Sequence, residues 1–193
     1  MTTQQPLSPD DRVFDWLFAA TAEASYHLRL LNLMWSNAGA EHDLAIFRGI
    51  AERLNADTAY WSNLIRDVNW RCGLIGCVCL LTTQRQDFFD DLCFRFEMGS
   101  MVAPQLAVAM GLLHPAEAVV FFEKTLTTPS LLTNPARRVS AERVLVYLGT
   151  RQASEVTLQN WNIHEQDYAL LADRVVQQHW DFWQPRVQHL SKV

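Results

Sequence analysis

The chain has 193 residues, 49% of them hydrophobic, so it is long enough to bury one core without staples and too apolar to be disordered. Sixteen basic residues against 21 acidic ones give a net charge of −5, which argues against nucleic-acid binding, where positive charge is concentrated to displace counterions from phosphate. The longest unbroken apolar stretch, residues 73–81, is far short of the ~20 residues a membrane span needs, and residues 1–11 lack the basic-then-apolar pattern of an export signal, so a cytoplasmic chain is expected.

Ser8-Pro9-Asp10-Asp11 reads as a helix start: a capping serine, a proline suited to the first turn, and acids that complement the helix dipole. Val13, Leu17, Ala20, Ala24, Leu28, Leu31 and Trp35 then recur every three or four residues, predicting an amphipathic helix that stops before Gly39. A second helix carries Leu44, Phe47, Ala51 and Leu54, and a third, capped by Asp57, carries Tyr60, Trp61, Leu64 and Ile65. Asn69 caps the most apolar helix, whose nearly continuous run from Leu74 to Leu81 predicts a central position. Asp87 starts the next, with Phe88, Leu92, Cys93 and Phe96 inward and Gly99 as its left-handed stop.

Ser100 precedes a helix with Pro104 in its first turn and Leu106, Ala109, Met110 and Leu113 as its stripe. Pro115 opens another, with Val119, Phe122 and Leu126 inward. Residues 127–136, which hold Pro129 and Pro135, predict a long loop, followed by a helix over residues 139–148 that Gly149 stops. The last element is predicted over residues 164–183, with Tyr168, Leu171, Val175, Gln178 or His179, and Phe182 tracing its inner side and Pro185 ending or kinking it. No strand-like alternation and no hairpin turn appears.

The predicted fold is therefore all-α and a single domain spanning residues 1–193. Each helix has one apolar face that it cannot bury alone, and stacking antiparallel pairs into a short superhelix solves that problem. Stretches starting at Asn69, Ser100 and Ala136 are spaced as helical repeats of roughly 30 to 45 residues would be, although a globular helical bundle gives the same signals.

Chemistry-bearing patterns are sparse. Cys72, Cys77, Cys79 and Cys93 lack paired zinc spacing; Cys77 and Cys79 point about 200° apart on a helix, so core cysteines are expected. The six histidines make no metal pair, and neither a nucleophile elbow nor a phosphate loop is present, so no metal, cofactor or catalytic residue is predicted. Asp87, Asp90, Asp91 and Glu97 share one predicted helix. They are read either as its solvated back or as an acidic strip that contacts a basic partner. Arg71, four residues after Asp67, is read as half of a structural ion pair or as a partner contact. His179, near Trp180 and Trp183, is read as a core histidine or a pocket wall.

Asn69-Trp70-Arg71, the apolar helix after it, and the run Gly99-Ser100-x-Val102-x-Pro104-Gln105-Leu106 resemble a group of bacterial helical-repeat proteins. That group is similar to the HEAT-like immunity and accessory proteins found beside secreted polymorphic toxins, and the resemblance covers residues 60–150. It implies a non-enzymatic protein that binds a cognate toxin and blocks its active site, and it transfers no individual residue. The leading expectation is thus a protein-binding module with Asp87, Asp90, Asp91 and Glu97 against a basic toxin, without nucleic acid or membrane and compatible with a homo-oligomer. An adaptor or chaperone for an effector would use a hydrophobic groove instead, and an all-α enzyme would place a pocket around His179, Trp180 and Arg71.

Overall fold

The computed structural model describes residues 37–54, 58–129, 133–152 and 161–190. The helix expected over residues 8–36 and the Asp57 cap lie outside them. Within the described residues every regular element is a helix: α1 (Asn37–Leu54), α2 (Thr58–Arg66), α3 (Trp70–Thr83), α4 (Phe89–Met98), α5 (Ala103–Leu113), α6 (Pro115–Thr127), α7 (Pro135–Tyr147) and α8 (Ile163–Leu190).

Local chemistry explains most of the boundaries. Asn69 caps α3 as its sequence position predicts, its side-chain oxygen accepting from the Arg71 amide at 3.1 Å. Pro115 both stops α5 and starts α6, leaving His114 alone between them. Gly99 and Gly149 take positive φ (82° and 75°) just past α4 and α7, where a side chain would be strained.

Four boundaries differ from the sequence expectation. Gly39 lies inside the first turn of α1 instead of between two helices. Asp87 does not cap α4; its carboxylate turns back to Arg85, and the helix opens at Phe89 with Asp90 and Asp91 in the first turn. α7 starts at Pro135 instead of residue 139, because Asn134 accepts from the Arg137 amide at 3.0 Å and proline fits the turn that follows such a cap. α8 runs through Pro185 to Leu190; the proline removes the N–H that would reach the Asp181 carbonyl, and beside it the Arg186 guanidinium donates to the Phe182 carbonyl at 2.7 Å.

The helices pack with alternate partners. α1 lies on α3, α3 on α5 and α5 on α7, while α2 covers α3 and α4, and α6 covers α5 and α7. This is the two-row arrangement of stacked helix pairs, in which each pair buries the faces of its neighbours. α3 is buried over nearly its whole length, as its composition predicts, and α5 equally so. At Gly111 of α5 an added Cβ would sit 2.5 Å from Val144 Cγ1 and 3.0 Å from the Trp180 ring, so the missing side chain is what lets α5, α7 and α8 approach.

α8 lies across α7 and α5 and touches α3. The flank that a bare stack leaves open is therefore covered in part by the chain's own last helix. Trp180 and Trp183 of α8 join the main core, whereas its N-terminal half rests on a small separate cluster, Val139, Ala169 and Ala172, edged by Ala136 and Trp161. The two ends of α8 are thus unequally supported.

Candidate functional site

The predicted acidic strip divides into two kinds of carboxylate. Asp91 is only 7% exposed; it accepts from the Ser62 hydroxyl at 2.9 Å and forms an ion pair with Arg66, whose guanidinium also lies over the Phe94 ring. Asp87 is exposed but engaged by Arg85, whose hydrogen bond holds its carboxyl below the usual aspartate range. Both join neighbouring segments, α2 to α4 and the α3–α4 turn to itself. Asp90 and Glu97 are exposed, seven residues apart on one line of α4 with Phe94 between them. Cys93 lies beside this line, and burial, reinforced by the negative charges of Asp90 and Glu97, pushes its thiol up to about 12.

The line continues to Met98 at the end of α4 and to Met101 in the loop after it, both exposed. That loop is the lip of a groove of about 290 Å³ bounded by the starts of α5 and α7 and the first half of α8. Its apolar lining comes from Met101, Pro104, Pro135, Tyr168, Leu171 and Val175. Met101 is 67% exposed, Tyr168 61% and Leu171 50%, although all three are large and apolar. The inner stripe predicted for the last helix holds at Val175 and His179 but not at Tyr168 and Leu171, because the buried positions of the first half are Ala169 and Ala172. Val175 and His179 are 7% and 2% exposed, whereas Leu171 and Tyr168, one and two turns before Val175, reach solvent.

Three polar residues at the groove, Ser100, Asn134 and Glu165, are tied to the framework, while among the described residues no group donates to the buried Oε1 of Gln105. The Ser100 hydroxyl accepts from the Val102 amide at 3.3 Å, and Asn134 is the α7 cap. Glu165 and Asn162 exchange reciprocal bonds of 2.9 and 3.1 Å that close the start of α8. Buried guanidiniums hold the lip: Arg95 donates to the carbonyls of Gly99 at 3.0 Å and Val68 at 3.1 Å, and Arg137 donates to the Glu97 carbonyl at 2.5 Å. Burial pulls both arginines below the ordinary value, Asp67 and Glu97 respectively opposing the shift.

The remaining singled-out residues fall elsewhere. Arg71 stacks on Trp70, and the carboxylate of Asp67 accepts from the Asn69 amide, so the expected Asp67–Arg71 pair is replaced by a capping turn and a cation–π contact. His179 and Trp180 are core residues, Trp180 stacked on Tyr147 at 4.9 Å. Neither they nor Arg71 lines the groove or the second cleft, about 230 Å³ between α1, the end of α3 and the end of α8.

Cys72, Cys77 and Cys79 are buried, and burial pushes the thiols of Cys72 and Cys77 up to about 12. Among the described residues no group of three or more His, Cys, Asp or Glu side chains is placed to hold a metal ion. No helix among them is long and apolar enough to cross a membrane.

The groove residues were missed in the sequence because Tyr168 and Leu171 carry the same period as the buried positions that follow them. Comparison with protein-family models, with curated proteins and with solved structures finds no match to this chain.

Proposed function

We propose that the chain is a non-enzymatic, cytoplasmic protein-binding module that captures a basic protein partner and blocks it by occlusion, as an immunity protein does a toxin. The observation that carries this reading is the exposed apolar stripe of Tyr168 and Leu171 facing Met101 across a groove where Ser100, Asn134 and Glu165 are already engaged in capping and turn bonds. Large apolar side chains left together at the surface mark interaction sites more often than catalytic ones. The net charge of −5 and the free line of Asp90 and Glu97 supply attraction and steering toward a positively charged partner.

A second reading, an adaptor or chaperone for an effector, draws on the same groove. Met101 in its lining and Met98 at the end of α4, both exposed, are flexible side chains that repack against varied apolar surfaces.

The two part in one experiment. The tagged chain is purified from native lysate at low salt, the retained protein is identified, and the pair is reconstituted from pure components. Loss of the partner's own activity in a stoichiometric complex supports occlusion. Retained activity in that complex favours the adaptor. Failure to retain any protein, or release of the partner only by detergent and not by salt, sinks the basic-partner reading.

A further inference from the structure

We propose that the groove between the starts of α5, α7 and α8 seats one apolar anchor side chain from an amphipathic, positively charged helix of a basic protein. The inference rests on the protein-binding reading and names the place and chemistry of the contact. Size comes first. A buried cavity of about 150 Å³ accommodates a benzene ring, so the 290 Å³ here suits one large apolar side chain or a pair of smaller ones. It sits just below the range of cofactor and drug-sized pockets, about 300–1,000 Å³.

The shape of the face fits a helix. Tyr168, Leu171 and Val175 form one row along α8, and Met101 and Pro104 form the opposite wall, so a trough runs alongside an existing helix. Troughs of that kind receive the apolar face of a second helix, with anchors repeating every three or four residues.

Charge selects the occupant. Glu165 lines the groove, and the exposed Glu97 stands at the end of α4, where its carbonyl is bonded by Arg137 at the start of α7. Asp167 and Arg174, both exposed and seven residues apart on one line of α8, lie on the flank away from the groove and offset each other, while Arg138 is paired with Glu142 and Arg137 is buried. A second copy of the chain meeting this face across a two-fold axis would set acids against acids. Anionic lipid and nucleic acid are repelled for the same reason. A helix with Lys or Arg beside its apolar stripe is attracted.

The test uses defined probes and the full chain carrying 13C-methyl methionine. An 18-residue amphipathic Leu/Lys helix is titrated, beside a Leu/Glu helix of the same pattern and a Lys-rich peptide without leucine. The expected result is movement of the Met98 and Met101 methyl signals with the Leu/Lys peptide, while buried Met110 stays still. Affinity for the Leu/Glu peptide is expected to be at least tenfold weaker, and the leucine-free peptide is expected to leave the signals in place.

Leu171→Glu and Tyr168→Ser alter exposed positions, so circular dichroism should show an unchanged fold while Leu/Lys affinity drops tenfold or more. Equal binding of the Leu/Glu peptide, unaltered affinity in Leu171→Glu, or silence at Met101 overturns the proposal. So does self-association that Leu171→Glu abolishes, which assigns the face to a second copy, or capture by anionic vesicles, which assigns it to lipid. If the partner retained from lysate binds Leu171→Glu as tightly as the native chain, the groove assignment falls and the module reading stands. If neither chain retains a protein, the module reading is what fails.

Discussion

The guanidinium of Arg137, at the start of α7, reaches the carbonyl oxygen of Glu97, forty positions earlier at the end of α4, at 2.5 Å. Arg137 is buried, and among the described residues no carboxylate forms a salt bridge with it; the Glu97 carbonyl takes one of its donors, and the negative charge of Glu97 favours its charged form. The bond fixes the lip of the groove to the helix across from it. Arg137→Met, which keeps the apolar stem and removes the donors, is expected to lower unfolding free energy by roughly 1.5–3 kcal/mol, the range for hydrogen bonds to charged groups. Urea titration measures that loss. Hydrogen exchange at the amides of residues 99–101 should accelerate in the same variant; unchanged exchange there would show that the lip is held by other contacts.

Gly111 tests how tightly the rows are packed. An alanine methyl there must displace the Val144 side chain and press on Trp180. Gly111→Ala is expected to destabilise by about 1–3 kcal/mol, as overpacking does, outweighing the gain in helix propensity of up to about 1 kcal/mol. Adding Val144→Ala removes the nearer clash, so the double variant should lose less than the two single losses combined. Strict additivity in thermal or urea unfolding would show that the close approach is relieved by backbone movement instead.

These packing details mark the boundary of what was legible in the chain. Helix caps and stops depend on residues a few positions apart, so Asn69, Gly99, Pro115 and Gly149 announce themselves. The inward stripes of α1, α4 and α5 follow from period alone. Asp91 could not be told from Asp90 in this way, because its fate depends on Ser62 and Arg66 on another helix. Geometry on α4 separates them only once the inward side is known, about 100° being the step between consecutive residues. Likewise Tyr168 and Leu171 keep the period of Val175 and His179, yet over the first half of α8 the buried positions are Ala169 and Ala172, set against Val139 of α7, and nothing local says so. Arg95 and Arg137 gave no signal, since their acceptors are backbone carbonyls far along the chain.

His114, between α5 and α6, supplies a pH dependence with a definite sign. Its ring packs on Phe89 at 4.9 Å, and burial pushes its pKa below the ordinary histidine value against the pull of Glu117 and Asp87. The unfolded chain then takes up a proton more readily than the folded one, so stability falls as pH drops from the unfolded pKa, about 6.5, toward the folded value. The Asp87 carboxyl, depressed by Arg85, acts lower: its contribution is present above the ordinary aspartate pKa and is lost as pH falls through its folded value. Urea midpoints between pH 7 and 5 should therefore decline in the native chain and flatten in His114→Gln. The Asp87→Asn variant should leave that window unchanged. An equal slope in His114→Gln would move the dependence to another group.

Cys93 reports on the acidic line of α4 without any partner. Its thiol is half-buried and pushed up to about 12, first by burial and then by Asp90 and Glu97. Thiolate is the reactive form, so alkylation near neutral pH should be slow in the folded chain, with Cys72, Cys77 and Cys79 slower still because they are buried. Removing a negative neighbour favours the thiolate. Asp90→Asn and Glu97→Gln should each lower the Cys93 pKa and speed its alkylation at pH 8 to 9, and the double variant should do so further. High salt should mimic part of the effect in the native chain by screening the two exposed carboxylates, and it should add little in the double variant. Mass-resolved labelling of Cys93 follows all of these rates. If charge removal leaves the rate unchanged while urea raises it, burial alone sets the reactivity, and the Asp90–Glu97 line exerts no field at the α4 surface that a basic partner could use.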